Sequence, residues 1–196
     1  MTNSTSYEVI ENFLPDDIFY PFALNLMNSY HYTPMDMVTN AEDSDGSLIN
    51  FGDLFPEKKH PATLMFQTNL FLRYVGKITT SDFWIIHQDG FIKYLEDYLN
   101  IKRWWSARVN CTVIQPEQYI GPYHIDFEQP YFKENTTTAI LYLNSNNGGT
   151  KFEENGEIVQ SKKNRLVKFP TTSRHAGVWH TDAKLRFVLN MTYEEK

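Results

Sequence analysis

Cysteine is almost missing from this chain. Its one copy, Cys111, lies inside the apolar run VNCTVI, which excludes a disulfide framework and paired-thiol redox chemistry. A buried thiol that packs as a small hydrophobe is the expectation there. Long apolar runs are missing too: none approaches the roughly 18 residues that a membrane-spanning helix needs. The opening MTNSTSYEVIENF has neither a basic first segment nor an apolar second one, so no secretory signal is read and a cytoplasmic protein is expected. Basic residues form no run longer than a pair, and the net charge is -6. Nucleic acid and anionic membrane surfaces are held by clustered Lys and Arg, so both are excluded as partners. A small-molecule or peptide partner is expected instead. Asn-x-Ser/Thr occurs at Asn3, Asn110, Asn135 and Asn190, but two of these lie in predicted strands, and the four are read as coincidence.

What is present suits one core: 196 residues, 41% hydrophobic and 15% aromatic, with no internal repeat, low-complexity tract or dividing linker. A single domain over 1–196 is expected. Its first part, 1–104, reads as mainly helical support: Pro15-Asp16-Asp17 opens FYPFALNLMNSY with an acidic first turn, and GFIKYLEDYL has helical spacing. Between these helices, 33–62 is rich in Asp, Asn, Gly and Pro and reads as a long lid or binding loop. From Trp105 onward the pattern changes to short runs rich in Val, Ile, Thr, Tyr and Phe, such as RVNCTVIQ, TTTAILYLN, NRLVKFP and KLRFVLNMTY. NGG at 147–149 and ENGE at 154–157 supply tight-turn chemistry between runs. The prediction is a mainly β chain, an eight-stranded jelly roll over 105–196 with helices packed on one sheet, and with Trp104 and Trp105 in the core.

Alternation gives the strands two different faces. In KLRFVLNMTY, Leu185, Phe187, Leu189, Met191 and Tyr193 share one side, while Arg186, Val188, Asn190 and Thr192 share the other. TTTAILYLN likewise separates Ala139, Leu141 and Leu143 from Thr138, Ile140, Tyr142 and Asn144. One face packs; the mixed face either meets water or lines a polar cavity between two sheets.

His-x-Asp on a strand offers two metal ligands on one side, because residues i and i+2 point the same way. A mononuclear iron site of two imidazoles and one carboxylate needs a third ligand from elsewhere. The spacing occurs three times. His87-Gln-Asp89 leads into a helix, with Asp89 expected as its N-cap. His180-Thr-Asp182 sits in a predicted turn and has no histidine after it. His124-Ile-Asp126 follows a strand-like run, and His175 opens a later strand after 48 intervening residues. Arg186 lies 11 residues beyond His175 on the mixed face of the last strand. An arginine enclosed in a β cavity needs an anion, and its planar fork matches a carboxylate, so a bound diacid is expected.

The ordered set His124-x-Asp126, TTAILYLNSNNGGTKF, NRLVKFP, His175, Arg186 and FVLNMTY resembles the prolyl 4-hydroxylase-like branch of the Fe(II)/2-oxoglutarate-dependent dioxygenases over roughly residues 105–193. YEVIENFLPDDIFYPF resembles the openings of compact microbial and phage members. The resemblance implies a double-stranded β-helix with His124, Asp126 and His175 as Fe(II) ligands. It also implies Arg186 and Tyr142 as partners of the distal carboxylate of 2-oxoglutarate. Where this branch often carries another co-substrate tyrosine, the chain has Ile114-Gln115-Pro116, leaving Gln115, Tyr119 or Tyr123 as substitutes. Trp179, on the strand face of His175, is a candidate for the substrate mouth.

The implied reaction consumes O2 and 2-oxoglutarate, releases succinate and carbon dioxide, and hydroxylates an unactivated C–H bond, with ascorbate admitted as an accessory reductant. A carboxylate at Asp126 fills the place that halide takes in related halogenases, which favours hydroxylation. A prolyl residue in a peptide is the leading substrate, gripped by 33–62 and FEQPYFKENT. An oxygenase acting on a free amino acid or small metabolite is a second reading. A non-catalytic jelly-roll binding module is a third, against which the complete ordered set argues.

Overall fold

The computed structural model describes residues 7–28, 33–35, 41–42, 48–49, 65–74, 77–126 and 135–196. In chain order it has β1 (Glu8–Ile10), α1 (Asp16–Asn28), β2 (Thr33–Met35), β3 (Ala41–Glu42), β4 (Leu48–Ile49), β5 (Met65–Tyr74) and β6 (Lys77–Thr80). There follow α2 (Asp82–His87), a π-helical turn (Gln88–Ile92), α3 (Lys93–Tyr98), β7 (Ile101–Val113), β8 (Thr136–Tyr142), β9 (Gly149–Phe152), β10 (Ile158–Gln160), β11 (Leu166–Pro170), β12 (His175–Val178) and β13 (Leu185–Glu195). The major sheet runs β1-β11-β8-β13-β7-β5-β2, with β6 on β5, and the minor sheet runs β10-β9-β12. Bridges Ile120↔Val178 and His124↔His175 add the segment 120–124 beside β12. Counting that segment, β7 through β13 make the expected eight-stranded double-stranded β-helix.

Strand β13 is the spine, antiparallel to β7 on one edge and to β8 on the other. It is buried on both faces because each has a cover. Phe187, Leu189, Met191 and Tyr193 join Val109, Cys111, Ala139 and Leu141 in the larger core, against Phe19, Phe22 and Leu26 of α1 and Phe83, Phe91 and Leu95 of the second helical run. Each fully buried Leu or Phe contributes about 1.5–3 kcal/mol, so this seam carries much of the stability. The opposite face looks toward the minor sheet, where Ile140, Tyr142, Phe152, Val159, Val167, Phe169 and Val188 form a smaller core. The mixed face is therefore enclosed between sheets, as one of the two sequence expectations held.

Several local readings change. The first hundred residues contain a ten-residue strand, β5, paired with β7; the helical expectation missed it because its residues fall in apolar and polar blocks, MF-QTN-LFL, rather than alternating, with a bulge at Leu70. Within 33–62 the short strands β2, β3 and β4 are described, while 36–40, 43–47 and 50–62 of the predicted lid lie outside the described residues. The second helix starts earlier than its spacing suggested, with Ser81 as N-cap accepting from the Trp84 amide. Asp89 is no cap and lies inside the π turn. Trp104 is in the core, edge-on to Trp84, with its Nε1–H on Glu96. Trp105 is half-buried outside that core, because the β7–β13 register shifts between Ser106 and Trp104 and leaves it at a bulge. In ENGE, Gly156 has φ +71, as a turn glycine should. Gly148 and Gly149 serve close approach instead: a Cβ on Gly148 would sit 2.5 Å from the Val178 carbonyl oxygen, and one on Gly149 2.5 Å from that of Val159.

Asn164 fastens the amino-terminal segment to the barrel. Its side chain accepts from the Leu14 amide at 3.0 Å and donates to the Leu14 carbonyl at 2.7 Å, and its own carbonyl accepts from Phe13. It also holds φ 61, a conformation asparagine tolerates better than most residues. Asn164→Ala removes both side-chain bonds and leaves the left-handed strain, so a loss of about 3 kcal/mol in denaturant unfolding is expected.

Cys111 is buried in the larger core, and burial pushes its thiol up to about 11. Almost no thiolate exists at pH 8, so a thiol reagent is expected to modify folded protein only as fast as it unfolds. Rapid labelling of native protein would contradict this packing. Among the described residues no helix is long and apolar enough to cross a membrane.

Candidate metal centre

His124 and His175 face each other across an antiparallel bridge in which each amide donates to the other's carbonyl at 2.9 Å. Such directly opposed residues put their side chains on one face, and the two ring centroids are 4.7 Å apart. Asp126, two residues after His124, brings its carboxylate to 3.9 Å from His124 Nε2 and 3.6 Å from His175 Nε2. Two donors each about 2.1 Å from one ion are at most about 4.2 Å apart, so these separations suit a shared metal. The three residues form a metal-capable group.

The surroundings fix both rings in one tautomer. Nδ1 of His124 lies 3.2 Å from the Pro122 carbonyl and Nδ1 of His175 lies 3.1 Å from that of Ser173, so each Nδ1–H donates to a backbone oxygen two residues upstream. The Nε2 lone pairs are thereby left for an ion. Phe169 packs edge-on against the His175 ring at 4.8 Å. Burial, with the neighbouring His175 ring, pushes His124 down to about 4, so its imidazole is neutral at neutral pH, as a ligand must be. For Asp126, burial is the largest influence and opposes ionisation, but His175, Arg108, His124 and the Asn190 amide outweigh it and hold the carboxyl below its usual range.

Two of those neighbours were not anticipated. Asn190 Nδ2 donates to both Asp126 oxygens at 3.2 and 3.3 Å, and Arg108 Nη2 reaches Asp126 Oδ1 at 3.4 Å. Asn190 and Arg108 are directly paired across β13 and β7. Strand alternation had placed Asn190 on the Arg186 face, so a signal for it existed; Arg108 depended on the β7–β13 register.

Arg186 is four residues before Asn190 on the same face, about 13 Å along the strand. It is buried, with Nε donating to Ser161 Oγ at 2.8 Å and Nη2 to the Gly149 carbonyl at 3.1 Å. Among the described residues no carboxylate reaches it. Burial is the main influence on its guanidinium and acts to lower its pKa, a cost that an anion would offset. Tyr142 lies beside it, its ring centroid 5.7 Å from the guanidinium carbon. The Tyr142 hydroxyl is already hydrogen-bonded to Thr150 Oγ1 at 2.8 Å and to the Val159 carbonyl at 3.1 Å.

The remaining candidates are placed as follows. Gln115 is buried, with Nε2 on the Val113 carbonyl and its amide on the His180 carbonyl. Tyr123 is half-buried, and its carbonyl accepts from Arg174. Trp179 lays its ring over Gly121, where a Cβ would come within 2.8 Å, and over Gly177, two residues beyond His175. His180 is buried in the turn before β13, outside the ligand group. His87 lines a cavity with Ile18, Phe22 and Tyr94 on the helical side of the major sheet. The segment 127–134 of FEQPYFKENT lies outside the described residues.

No family model matches the chain, and no curated protein matches it by sequence. Solved structures do. An oxidoreductase of the 2OG-Fe(II) oxygenase family from Burkholderia pseudomallei aligns with a TM-score of 0.60 over 95% of this chain and 84% of its own, at 9% identity. A prolyl-4-hydroxylase from Pseudomonas putida aligns at 0.53 over 98% and 94%, with 14% identity. A prolyl hydroxylase from Trichoplax adhaerens, solved with a hypoxia inducible factor oxygen degradation domain peptide fragment, aligns at 0.53 over 98% and 85%, with 17% identity.

Anaerobic titration with Fe(II), followed by calorimetry, tests the centre. His124→Ala, Asp126→Ala and His175→Ala are each expected to abolish binding, Asn190→Ala to weaken it roughly 10–100-fold, and His87→Ala to leave it intact. Binding that survives His175→Ala but not His180→Ala would move the distal ligand to His180. The chain has the fold of the 2-oxoglutarate–Fe(II) oxygenases, the double-stranded β-helix expected from its sequence.

Proposed function

We propose that this protein is an Fe(II)- and 2-oxoglutarate-dependent dioxygenase that hydroxylates an unactivated C–H bond, with a prolyl residue in a peptide as its leading substrate. The observation that carries the reading is the pairing of two features in one enclosed space between the two sheets. One is the His124/Asp126/His175 group. The other is Arg186, a buried cation with no carboxylate within reach among the described residues. A dicarboxylate bound at both ends answers both requirements, since one end chelates an ion and the other neutralises a guanidinium.

The donor set fits the ion. Two imidazoles and one carboxylate make a three-ligand set that would leave an ion positions for further ligands. His124, Asp126 and His175 would hold Fe(II), and Arg186 the distal carboxylate of 2-oxoglutarate. When bound, the iron and its co-substrate supply the oxidising chemistry, with succinate and carbon dioxide as co-products. The chain's own residues anchor Nδ1 of both histidines so that Nε2 is the atom presented to the ion, hold the Asp126 carboxyl below its usual range, and exclude bulk water with Phe169 and Trp179. Asp126 occupies the place where a halide would enter, which supports hydroxylation. The peptide preference is supported by likeness to two prolyl hydroxylases, one of them solved with a peptide.

Anaerobic Fe(II) plus 2-oxoglutarate is expected to give the weak visible charge-transfer band of the chelate in wild type and not in Asp126→Ala. In air, succinate release is expected to rise with proline-containing peptides above the rate with no substrate. Folded protein without the band would sink the oxygenase reading. Stimulation by a free amino acid but by no peptide would keep the chemistry and replace the substrate.

A further inference from the structure

Resting on that reading, the structure assigns a further co-substrate contact: we infer that Thr112, rather than Tyr142, supplies the hydroxyl that hydrogen-bonds the distal carboxylate of 2-oxoglutarate beside Arg186. Thr112 is the direct cross-strand partner of Arg186 in the β7–β13 ladder. Opposed residues in an antiparallel pair project to the same face, with Cβ atoms about 4.5–5.5 Å apart. Thr112 therefore belongs to the row that holds the guanidinium. The next rows along the two strands are Asn110 with Val188, then Arg108 with Asn190, which ends at Asp126.

Hydrogen-bonding capacity decides between the two hydroxyls. Thr112 is buried, and its Oγ1 has no partner among the described residues. A buried hydroxyl left unpaired costs about 1–3 kcal/mol, a cost that a ligand acceptor removes. Tyr142 is in the opposite condition. A phenol has one proton to donate, and the Tyr142 oxygen already has the Val159 carbonyl at 3.1 Å and Thr150 Oγ1 at 2.8 Å. Donating to a carboxylate would take that proton from the partners it already has. Arg186 shows the complementary pattern: Nε and Nη2 are held by Ser161 and Gly149, and Nη1 has no partner among the described residues. An acceptor between Nη1 and Thr112 satisfies both at once, and Tyr142 is left to wall the pocket with its ring.

The test uses Ni(II)-loaded protein, which binds without turnover, and calorimetry with two ligands. 2-Oxoglutarate carries the distal carboxylate; 2-oxopentanoate has the same chain length and lacks it. Thr112→Val, which keeps the shape and removes the hydroxyl, is expected to weaken 2-oxoglutarate at least tenfold, as for loss of one hydrogen bond to a charged group. Its affinity for 2-oxopentanoate should be unchanged, and Thr112→Ser should restore 2-oxoglutarate binding to within about threefold of wild type. Equal loss for both ligands would mean a general packing effect and overturn the assignment. So would a 2-oxoglutarate-specific loss in Tyr142→Phe with none in Thr112→Val. Wild type that binds both ligands equally, or neither, would instead remove the co-substrate reading on which this inference rests.

Discussion

The register of β13 between β7 and β8 is the constraint on which the rest depends. Its side-chain period is two, so a slip of one residue would turn Phe187, Leu189 and Met191 toward the minor sheet and Arg186 and Asn190 into the helical core. The larger core pins the register: apolar side chains on one face must meet α1 and the second helical run. The polar face follows with no further choice. Packing energy on one side of the strand thus fixes the coordinates of charged groups on the other.

This division explains what was legible in the sequence. Alternation alone put Arg186, Val188, Asn190 and Thr192 on one side, and strand placement separated His124-x-Asp126 from two equal spacings. The histidine pair itself is a backbone event, reciprocal hydrogen bonds between residues 51 positions apart, which the order of strands anticipates and composition does not. Local chemistry read less well where a long-range contact overrides it. Asp89 looks like a cap, but Ser81 starts the helix earlier. Gly148 and Gly149 look like turn residues, but they are small because the carbonyls of Val178 and Val159 pass over them. Arg108 and Asn164 act on partners far away in sequence, Asp126 and Leu14, and nothing adjacent to either announces the contact.

Electrostatically, the inter-sheet space is organised as two buried charges of opposite sign at its two ends. Asp126 accepts from Asn190 and Arg108 of the major sheet, whereas Arg186 has only neutral acceptors among the described residues. Hydroxyls and amides with vacant capacity lie on the same face: Thr112 Oγ1, Asn190 Oδ1, Thr192 Oγ1 and Ser106 Oγ. A native interior normally satisfies such groups, so four of them on one face between the sheets mark that face as one suited to a polar occupant.

The segment 120–124 joins the minor sheet through two isolated bridges, at Ile120 and His124, whereas β12 is paired with β9 along its whole length. The ligand carried by the least secured strand is thus bonded to one carried by a better secured strand. Pairing of that edge and occupancy of the ion are linked equilibria: whatever strengthens one must strengthen the other by the same free energy. An ion bound by His124, Asp126 and His175 would therefore also close the barrel, and Trp179, laid over Gly121, packs on the same edge.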